Sequence, residues 1–226
     1  MLLSQKKPII SVVGGTGDLG SALVHRINGA GYQVIIGSRS AKRARAFAKS
    51  LTTDKQENFV SGEKNCDAVS KGSVIFLCVP YDQQLQILKE ISSELTGKLL
   101  IDTTVPLVPP RVARVQLPPE HSAAIRSQEF LGDKVEVVSA LHNLAADHLA
   151  GNSDIDCDVL VFGNKRESRS TVIKIMDSIG IVGLHAGPLA NSVAAEALTS
   201  VLIFMNRYYN SPGTGIRISR LSREVQ

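Results

Sequence analysis

The sequence predicts an α/β protein with a doubly wound, mostly parallel sheet, and three observations carry that prediction. Short apolar runs alternate along the chain with segments of helical period, the pattern of strands joined by crossover helices. The first run, Ile9–Val13, leads straight into a glycine-rich turn, Gly14-Gly-Thr-Gly-Asp-Leu-Gly20. Five of the nine prolines fall between Pro106 and Pro119. Proline lacks an amide donor and fixes φ, so this stretch is expected to be a stiff loop on the carboxyl side of the sheet, where open α/β sheets bind ligands. With 226 residues and 43% hydrophobic content, the chain can bury one sizeable core. The expectation is a single Rossmann-type dinucleotide-binding domain over residues 1–226 with a small C-terminal helical extension.

In order, Ile9–Val13 is the first strand and Leu19–Ala30 the helix after the turn. Val34–Ile36 is the second strand and Ala41–Leu51 its helix. A polar loop at 53–58 precedes a weak third strand at Phe59–Ser61. Val74–Val79 reads as a buried strand, Gln83–Leu95 as a helix and Leu99–Ile101 as the next strand. Beyond the proline-rich loop come a helix at Ser122–Phe130, strands at Val135–Ala140 and Val159–Phe162, and a helix at Ser168–Ile179. The last helix, Asn191–Tyr208, is unlike the others. Ala194, Ala197, Leu198, Val201, Leu202 and Met205 form one stripe at i, i+3, i+4 spacing, and Val193, Ile203 and Phe204 lie off it. A helix apolar nearly all round is covered on more than one side, either in the core or, the reading preferred here, at a homodimer interface spanning about 191–209.

Gly15, Gly17 and Gly20 have the G-x-G-x-x-G spacing. In that pattern one glycine makes the tight turn, one admits a pyrophosphate close to the backbone, and one lets helix pack on strand. The helix then points its positive end at the anion, so Gly15, Thr16, Gly17, Asp18, Leu19 and Gly20 are candidate cofactor contacts. The second strand ends in Gly37-Ser-Arg-Ser40 rather than in the acidic residue that would accept the ribose hydroxyls of NAD. A carboxylate repels a 2′-phosphate, whereas Ser38 donates a hydroxyl and Arg39 a charged fork, with Lys42 or Arg43 one turn on. NADP(H) is therefore the expected dinucleotide, and Arg45 is expected to be solvated surface. The glycines also fit G-x-x-G-x-x-G through Gly14. The Tyr-x-x-x-Lys pair that protonates a carbonyl in that class is missing: Tyr32, Tyr81, Tyr208 and Tyr209 are followed four residues on by Ile36, Leu85, Pro212 and Gly213.

A net charge of +4, 4% aromatic residues and no tryptophan leave little to stack nucleic-acid bases on, so no nucleic-acid partner is expected. Cys66, Cys78 and Cys157 show no metal-ligand spacing and are expected to be reduced thiols, with Cys78 a small buried hydrophobe and no metal site. The first seven residues are too short and polar for a signal peptide, and no apolar stretch is expected to reach the length of a membrane span. The expected setting is cytoplasmic.

Several segments together resemble the NADPH-dependent reductases of coenzyme F420. They are the glycine turn, Gly37-Ser-Arg39, Val79-Pro-Tyr81, Val138-Ser-Ala-Leu-His142, Ala186-Gly-Pro-Leu-Ala-Asn-Ser192 with Glu196 and Leu198-Thr199, and Asn206-Arg-Tyr208 with Gly215-Ile-Arg217. The match spans about residues 8–218. The resemblance implies direct hydride transfer between NADP(H) and the deazaflavin coenzyme F420, with the protein aligning two stacked rings and excluding water. It places Thr16–Leu19, Ser38, Arg39, Arg43, Pro80, Tyr81 and Ala146 on the NADP(H) side, and His142, Leu144 and Thr199 on the deazaflavin side. His142 is then an orienting group rather than a general acid. Each has a plainer alternative: Pro80 ends a strand, and the Thr199 hydroxyl can bond a carbonyl one turn back. After His142 the chain reads Asn143-Leu-Ala-Ala146, without the proline that some relatives carry there. Two other functions remain open to the sequence: an NADPH-dependent reductase of a flavin or other planar acceptor, and a non-catalytic NADPH-sensing module.

Overall fold

The computed structural model describes residues 7–51, 59–150 and 155–221; the expected polar loop at 53–58 and the end of the tail lie outside them. The strands are β1 (Ile10–Val13), β2 (Val34–Ser38), β3 (Val60–Lys64), β4 (Val74–Leu77), β5 (Leu99–Asp102), β6 (Glu136–Ser139), β7 (Asp158–Gly163) and β8 (Val182–His185). They form one sheet in the order β3-β2-β1-β4-β5-β6-β7-β8, and every pairing is parallel except β6 with β7. The helices are α1 (Asp18–Gly29), α2 (Ala41–Leu51), α3 (Asn65–Lys71), α4 (Gln84–Ile91), α5 (Ala123–Leu131), α6 (Ala146–Ala150), α7 (Arg166–Ser178) and α8 (Ser192–Tyr208).

Strand alternation sends residues to both faces, and both are covered. Val12, Phe76, Ile101 and Val138 stand side by side across β1, β4, β5 and β6 and belong to a core with Leu23, Ile27 and Met176. Their neighbours Val13, Leu77, Leu100 and Val137 join the opposite core with Leu88 and Ile91. Each such side chain contributes about 1.5–3 kcal/mol on full burial, which is why these strands read as continuous apolar runs. The chain moves outward from β1 to β3 and returns to pair β4 on the other side of β1. A crevice opens at that reversal, beyond the carboxyl ends of β1 and β4.

Three elements escape the sequence reading. α3 follows β3 with no turn residue between, α6 is five residues long, and β8 carries a glycine within four residues; all are too short for a period to register. The expected helix Gln83–Leu95 is a shorter α4 flanked by single 3₁₀ turns at Tyr81–Gln83 and Ser92–Glu94. β3 looked weak because Gly62 sits at its centre, yet a Cβ there would lie 2.2 Å from the Ala44 carbonyl carbon. The glycine lets α2 press directly on the strand.

α8 corrects two expectations. The predicted stripe does not form one buried or one exposed face: Ala194, Val201 and Met205 are exposed, Ala197 and Leu198 are half-buried and Leu202 is buried, together with the off-stripe Ser192, Ala195, Glu196 and Ser200. Contrary to the expectation that no span-length stretch exists, Leu189–Tyr208 is long and apolar enough to cross a membrane by length and composition, with a mean hydropathy of 1.3. Its polar residues are spaced along one side, so the average conceals them. Beyond α8 the chain folds back: the Asp158 N–H donates to the Ile216 carbonyl at 2.8 Å, and the Ile218 N–H donates to the Asp158 carboxylate at 2.6 Å.

Candidate functional site

The glycine turn sits where β1 delivers it. Gly14 adopts φ +76, and a Cβ there would lie 2.2 Å from the Cys78 carbonyl oxygen of the neighbouring strand end. The tight turn is therefore made by Gly14, one residue before the Gly15 assigned to it by spacing. Gly20 fills its expected part: a Cβ would approach the Gly14 carbonyl oxygen to 2.3 Å, so its absence brings α1 down onto β1. Gly17 is the N-cap residue of α1, and no side chain caps the first amides of that helix. Uncapped amides with the positive helix end behind them make a cradle for an anion.

At the carboxyl end of β2, Ser38 is buried with its Oγ 3.4 Å from Thr16 Oγ1, and the Ser40 amide donates to it at 3.3 Å. Arg39 and Arg43 are exposed, and neither forms an ion pair among the described residues. Arg45, by contrast, pairs with Glu63 at 3.3 Å, in keeping with a surface role. Ser38, Arg39, Arg43 and Thr16 line one cavity with Asn65, Val79, Pro80, Gln83 and Ile87. Two free cations beside a buried hydroxyl suit a phosphate ester.

The cavity continues into a larger cleft of about 990 Å³. Gly17, Asp18 and Leu19 form one wall, Pro80 and Tyr81 another, and Thr103, Val105, Leu107, Val108 and Pro109 a third, with Ala146 at the edge. The proline-rich segment thus closes the cleft on the carboxyl side of β5, as its composition predicted. Cys78 also borders the cleft; burial pushes its thiol up to about 12, so it is a neutral, unreactive group.

Beneath Tyr81 lies a buried polar chain that the sequence reading missed. The Arg126 guanidinium stacks 3.9 Å from the Tyr81 ring centroid and donates to the Tyr81 carbonyl at 3.1 Å and from Nε to Gln84 Oε1 at 2.9 Å. Gln84 donates to Asp102 Oδ2 at 2.7 Å and to Ser127 Oγ at 2.9 Å. Asp102 also accepts from the Thr104 amide at 2.9 Å, and burial raises its pKa. This chain ties the aromatic wall to the end of β5. The available signal was an aspartate closing the apolar run Leu99-Leu-Ile.

The residues expected on the deazaflavin side lie deeper. His142 and Leu144 are buried, at 4% and 7% exposure, in the turn after β6 where Leu141 holds φ +73. His142 Nε2 is 3.2 Å from Ser139 Oγ, and its Nδ1 has no partner. Burial lowers its pKa to about 4, so the ring is neutral at pH 7. Thr199 donates to the His142 carbonyl at 2.8 Å and to the Ala195 carbonyl at 3.1 Å; the plainer alternative for its hydroxyl is therefore present, together with a tie to His142. These three residues cluster, but none lines the cleft that Pro80, Tyr81 and Ala146 border.

Comparison with known proteins agrees with this geometry. Residues 9–106 match the family model described as NADP oxidoreductase coenzyme F420-dependent. The chain is 36% identical to an F420-dependent NADP reductase of Methanocaldococcus jannaschii, covering 94% of this chain and 98% of that protein. It is 34% identical to the protein of that name from Methanothermobacter thermautotrophicus, covering 95% and 96%. In three dimensions it resembles an Arthrobacter sp. FB24 protein assigned provisionally to the same reaction, with a TM-score of 0.81 over 95% of this chain and all of that one, at 22% identity; at that identity the likeness concerns the fold. Taken with an NADP-type strand end and a ring-sized cleft at the sheet's switch point, near-full-length identity of this order places the chain in the family of F420-dependent NADP reductases.

Proposed function

We propose that this protein transfers a hydride between NADP(H) and coenzyme F420 in the cleft at the carboxyl ends of β1, β4 and β5. The single observation that carries the reading is the continuity of that cleft, which runs from an uncapped helix end and two unpaired arginines to an apolar chamber walled by Tyr81 and Val105–Pro109. Family membership makes the chain an NADP-dependent oxidoreductase acting on F420. The bound cofactors supply the chemistry, a hydride moving between C4 of the nicotinamide and C5 of the deazaflavin.

The chain's own task is to bind, align and keep water out. The uncapped first turn of α1, opening at Asp18 and Leu19, offers its amides to the pyrophosphate, while the Gly15 and Gly17 amides donate within the turn and to β2 and hold the shape of the cradle. Ser38, Arg39 and Arg43 hold the 2′-phosphate. Pro80, Tyr81 and Ala146 border the nicotinamide half, with Arg126 fixing Tyr81 from behind. His142, Leu144 and Thr199 do not line the cleft and support its deazaflavin side from behind, through the turn after β6, with His142 a neutral positioning group. The apolar wall Val105, Leu107, Val108 and Pro109 desolvates the reacting rings.

The same reading makes the protein a cytoplasmic homodimer that needs neither nucleic acid nor membrane as partner. Val201, Phe204, Met205 and Tyr208 form an exposed apolar side of α8, and a second copy covering it relieves an aggregation liability. The activity test is spectrophotometric. NADPH should bleach the deazaflavin absorbance of F420, and NADH should do so far more slowly. Turnover with a flavin but not with F420 would favour an ordinary flavin reductase, and NADPH binding without turnover of either acceptor would make the protein a sensor.

A further inference from the structure

Among the described residues no basic side chain lines the larger cleft, yet a cation stands directly behind one of its walls. Tyr81 borders the cleft, and the Arg126 guanidinium lies 3.9 Å from the centroid of that ring without bordering the cleft itself. Arg126 is half-buried and makes no ion pair among the described residues. Its hydrogen bonds go to neutral acceptors, the Tyr81 carbonyl at 3.1 Å and Gln84 Oε1 at 2.9 Å. The buried Gln84 amide is held one way round, because its oxygen accepts from Arg126 while its nitrogen donates to Asp102 Oδ2 at 2.7 Å. One carboxamide therefore keeps the carboxyl group away from the guanidinium, and the positive charge stays beside Tyr81 instead of being cancelled by direct contact.

We propose that Arg126 sets which redox form of the nicotinamide the cleft prefers, favouring the neutral ring of NADPH over the cationic ring of NADP⁺. The inference rests on the NADP(H) reading above, with Tyr81 beside the nicotinamide half. A ring in contact with the cleft side of Tyr81 lies about 3.5–4 Å from it, which puts its charge about 7–8 Å from the guanidinium carbon. At that separation and an effective dielectric of about 20, two like charges repel enough to change a binding ratio by more than about tenfold, and Asp102 offsets part of this. Asp18 and Asp82 also border the cleft, but both are exposed, and water and salt screen them. Loss of a hydride turns the neutral dihydronicotinamide into a cation, so the charge that retains NADPH also helps to release NADP⁺. Arg39 and Arg43 do not produce this preference, because the 2′-phosphate is the same in both forms.

The test measures dissociation constants for NADPH, by nicotinamide fluorescence, and for NADP⁺, by displacement of NADPH, in the wild type, Arg126→Met and Arg126→Lys. Methionine keeps an unbranched stem against Tyr81 without the charge, and lysine keeps the charge without the planar fork. The ratio of the NADP⁺ constant to the NADPH constant should fall roughly tenfold in Arg126→Met and stay within about twofold of the wild-type value in Arg126→Lys. If Arg126→Met does not fold, Arg126→Gln, neutral and still able to donate to Gln84, replaces it. Equal weakening of both forms in the neutral variant, or the same fall in Arg126→Lys as in Arg126→Met, makes Arg126 a support for Tyr81 alone and overturns the assignment while leaving the NADP(H) reading intact. A wild type that binds neither form overturns both.

Discussion

Glu196 makes the fold's stability depend on pH in a direction that can be measured. Its carboxyl group reaches from α8 to the start of α5, accepting from the Ala123 amide at 2.6 Å and the Ala124 amide at 3.2 Å. Burial is the largest influence and raises its pKa to about 8, while those amides and Ser122 pull it down and Asp102 pushes it further up. A carboxyl group that binds its proton more tightly folded than unfolded favours the native state when protonated. Stability is then lost as pH rises from about 4.5 to about 8. His142 works in the opposite sense. Its folded pKa of about 4 lies below the ordinary histidine value of 6.5, so stability is lost as pH falls through that window. Between pH 4.5 and 6.5 the two slopes oppose each other, and between 6.5 and 8 only Glu196 of this pair still titrates. One proton is worth about 1.4 kcal/mol per pH unit, giving about 2 kcal/mol across that upper window, or a fall in Tm of roughly 4–8 °C for a chain of this size. Glu196→Gln removes the titration and leaves one α5 amide facing an NH₂ group, a constant cost of about 1–3 kcal/mol. The readout is the slope of Tm against pH by calorimetry, not the offset. A Glu196→Gln slope between pH 6.5 and 8 as steep as that of the wild type would refute the reasoning.

Other outcomes follow from the cleft and its surroundings. Arg39→Ala should weaken NADPH binding by roughly tenfold to a hundredfold, the loss of charge-assisted bonds worth about 1.5–3 kcal/mol, and leave NADH binding and Tm nearly unchanged because Arg39 is exposed; equal loss for both cofactors in a fluorescence titration would remove its phosphate role. The rate of hydride transfer, followed in single turnovers, should show no inflection near pH 6.5 because His142 is already neutral there. His142→Ala should slow that step or raise the F420 KM while NADPH affinity stays put. Phe204→Glu, on the exposed side of α8 where Phe204 is 54% accessible, should convert a dimer at micromolar concentration to a monomer by sedimentation; a wild-type monomer would dismiss the interface.

What the sequence made legible was local. The strand-turn-helix unit at Ile9–Ala30, the basic end of β2 and the proline-rich wall each declare themselves within 22 neighbouring residues or fewer, and all three border the same cleft. One register detail was misread: the left-handed residue is Gly14 rather than Gly15, because the deciding contact is with Cys78 on another strand. The Asp102–Gln84–Arg126–Tyr81 chain was invisible for the same reason. Its members come from β5, α4, α5 and the turn before α4, and no spacing along the chain brings them together. Asn65 escaped because nothing about an asparagine before Cys-Asp-Ala announces that it opens α3 and stands beside Ser38 in the cavity wall.

α8 shows why composition alone misleads. Ser192, Glu196 and Ser200 recur every four residues, which on a surface helix marks the solvated face. Here that face is the buried one, because α5 presents unpaired amides and Ser122 to it: Ser192 Oγ donates to Ser122 Oγ at 2.8 Å, Glu196 takes the amides, and Ser200 Oγ donates to the Arg114 carbonyl at 3.4 Å. A polar stripe can be buried when the surface beneath it offers more donors and acceptors than it can satisfy itself. The apolar residues are then turned outward by elimination, and the helix carries two assignments at once. Its inner side holds α5 and, through Thr199, the His142 carbonyl; its outer side is exposed and apolar, the face that the proposed homodimer would cover. Changes on the outer side should therefore alter assembly before they alter hydride transfer, whereas changes on the inner side reach the turn after β6 directly.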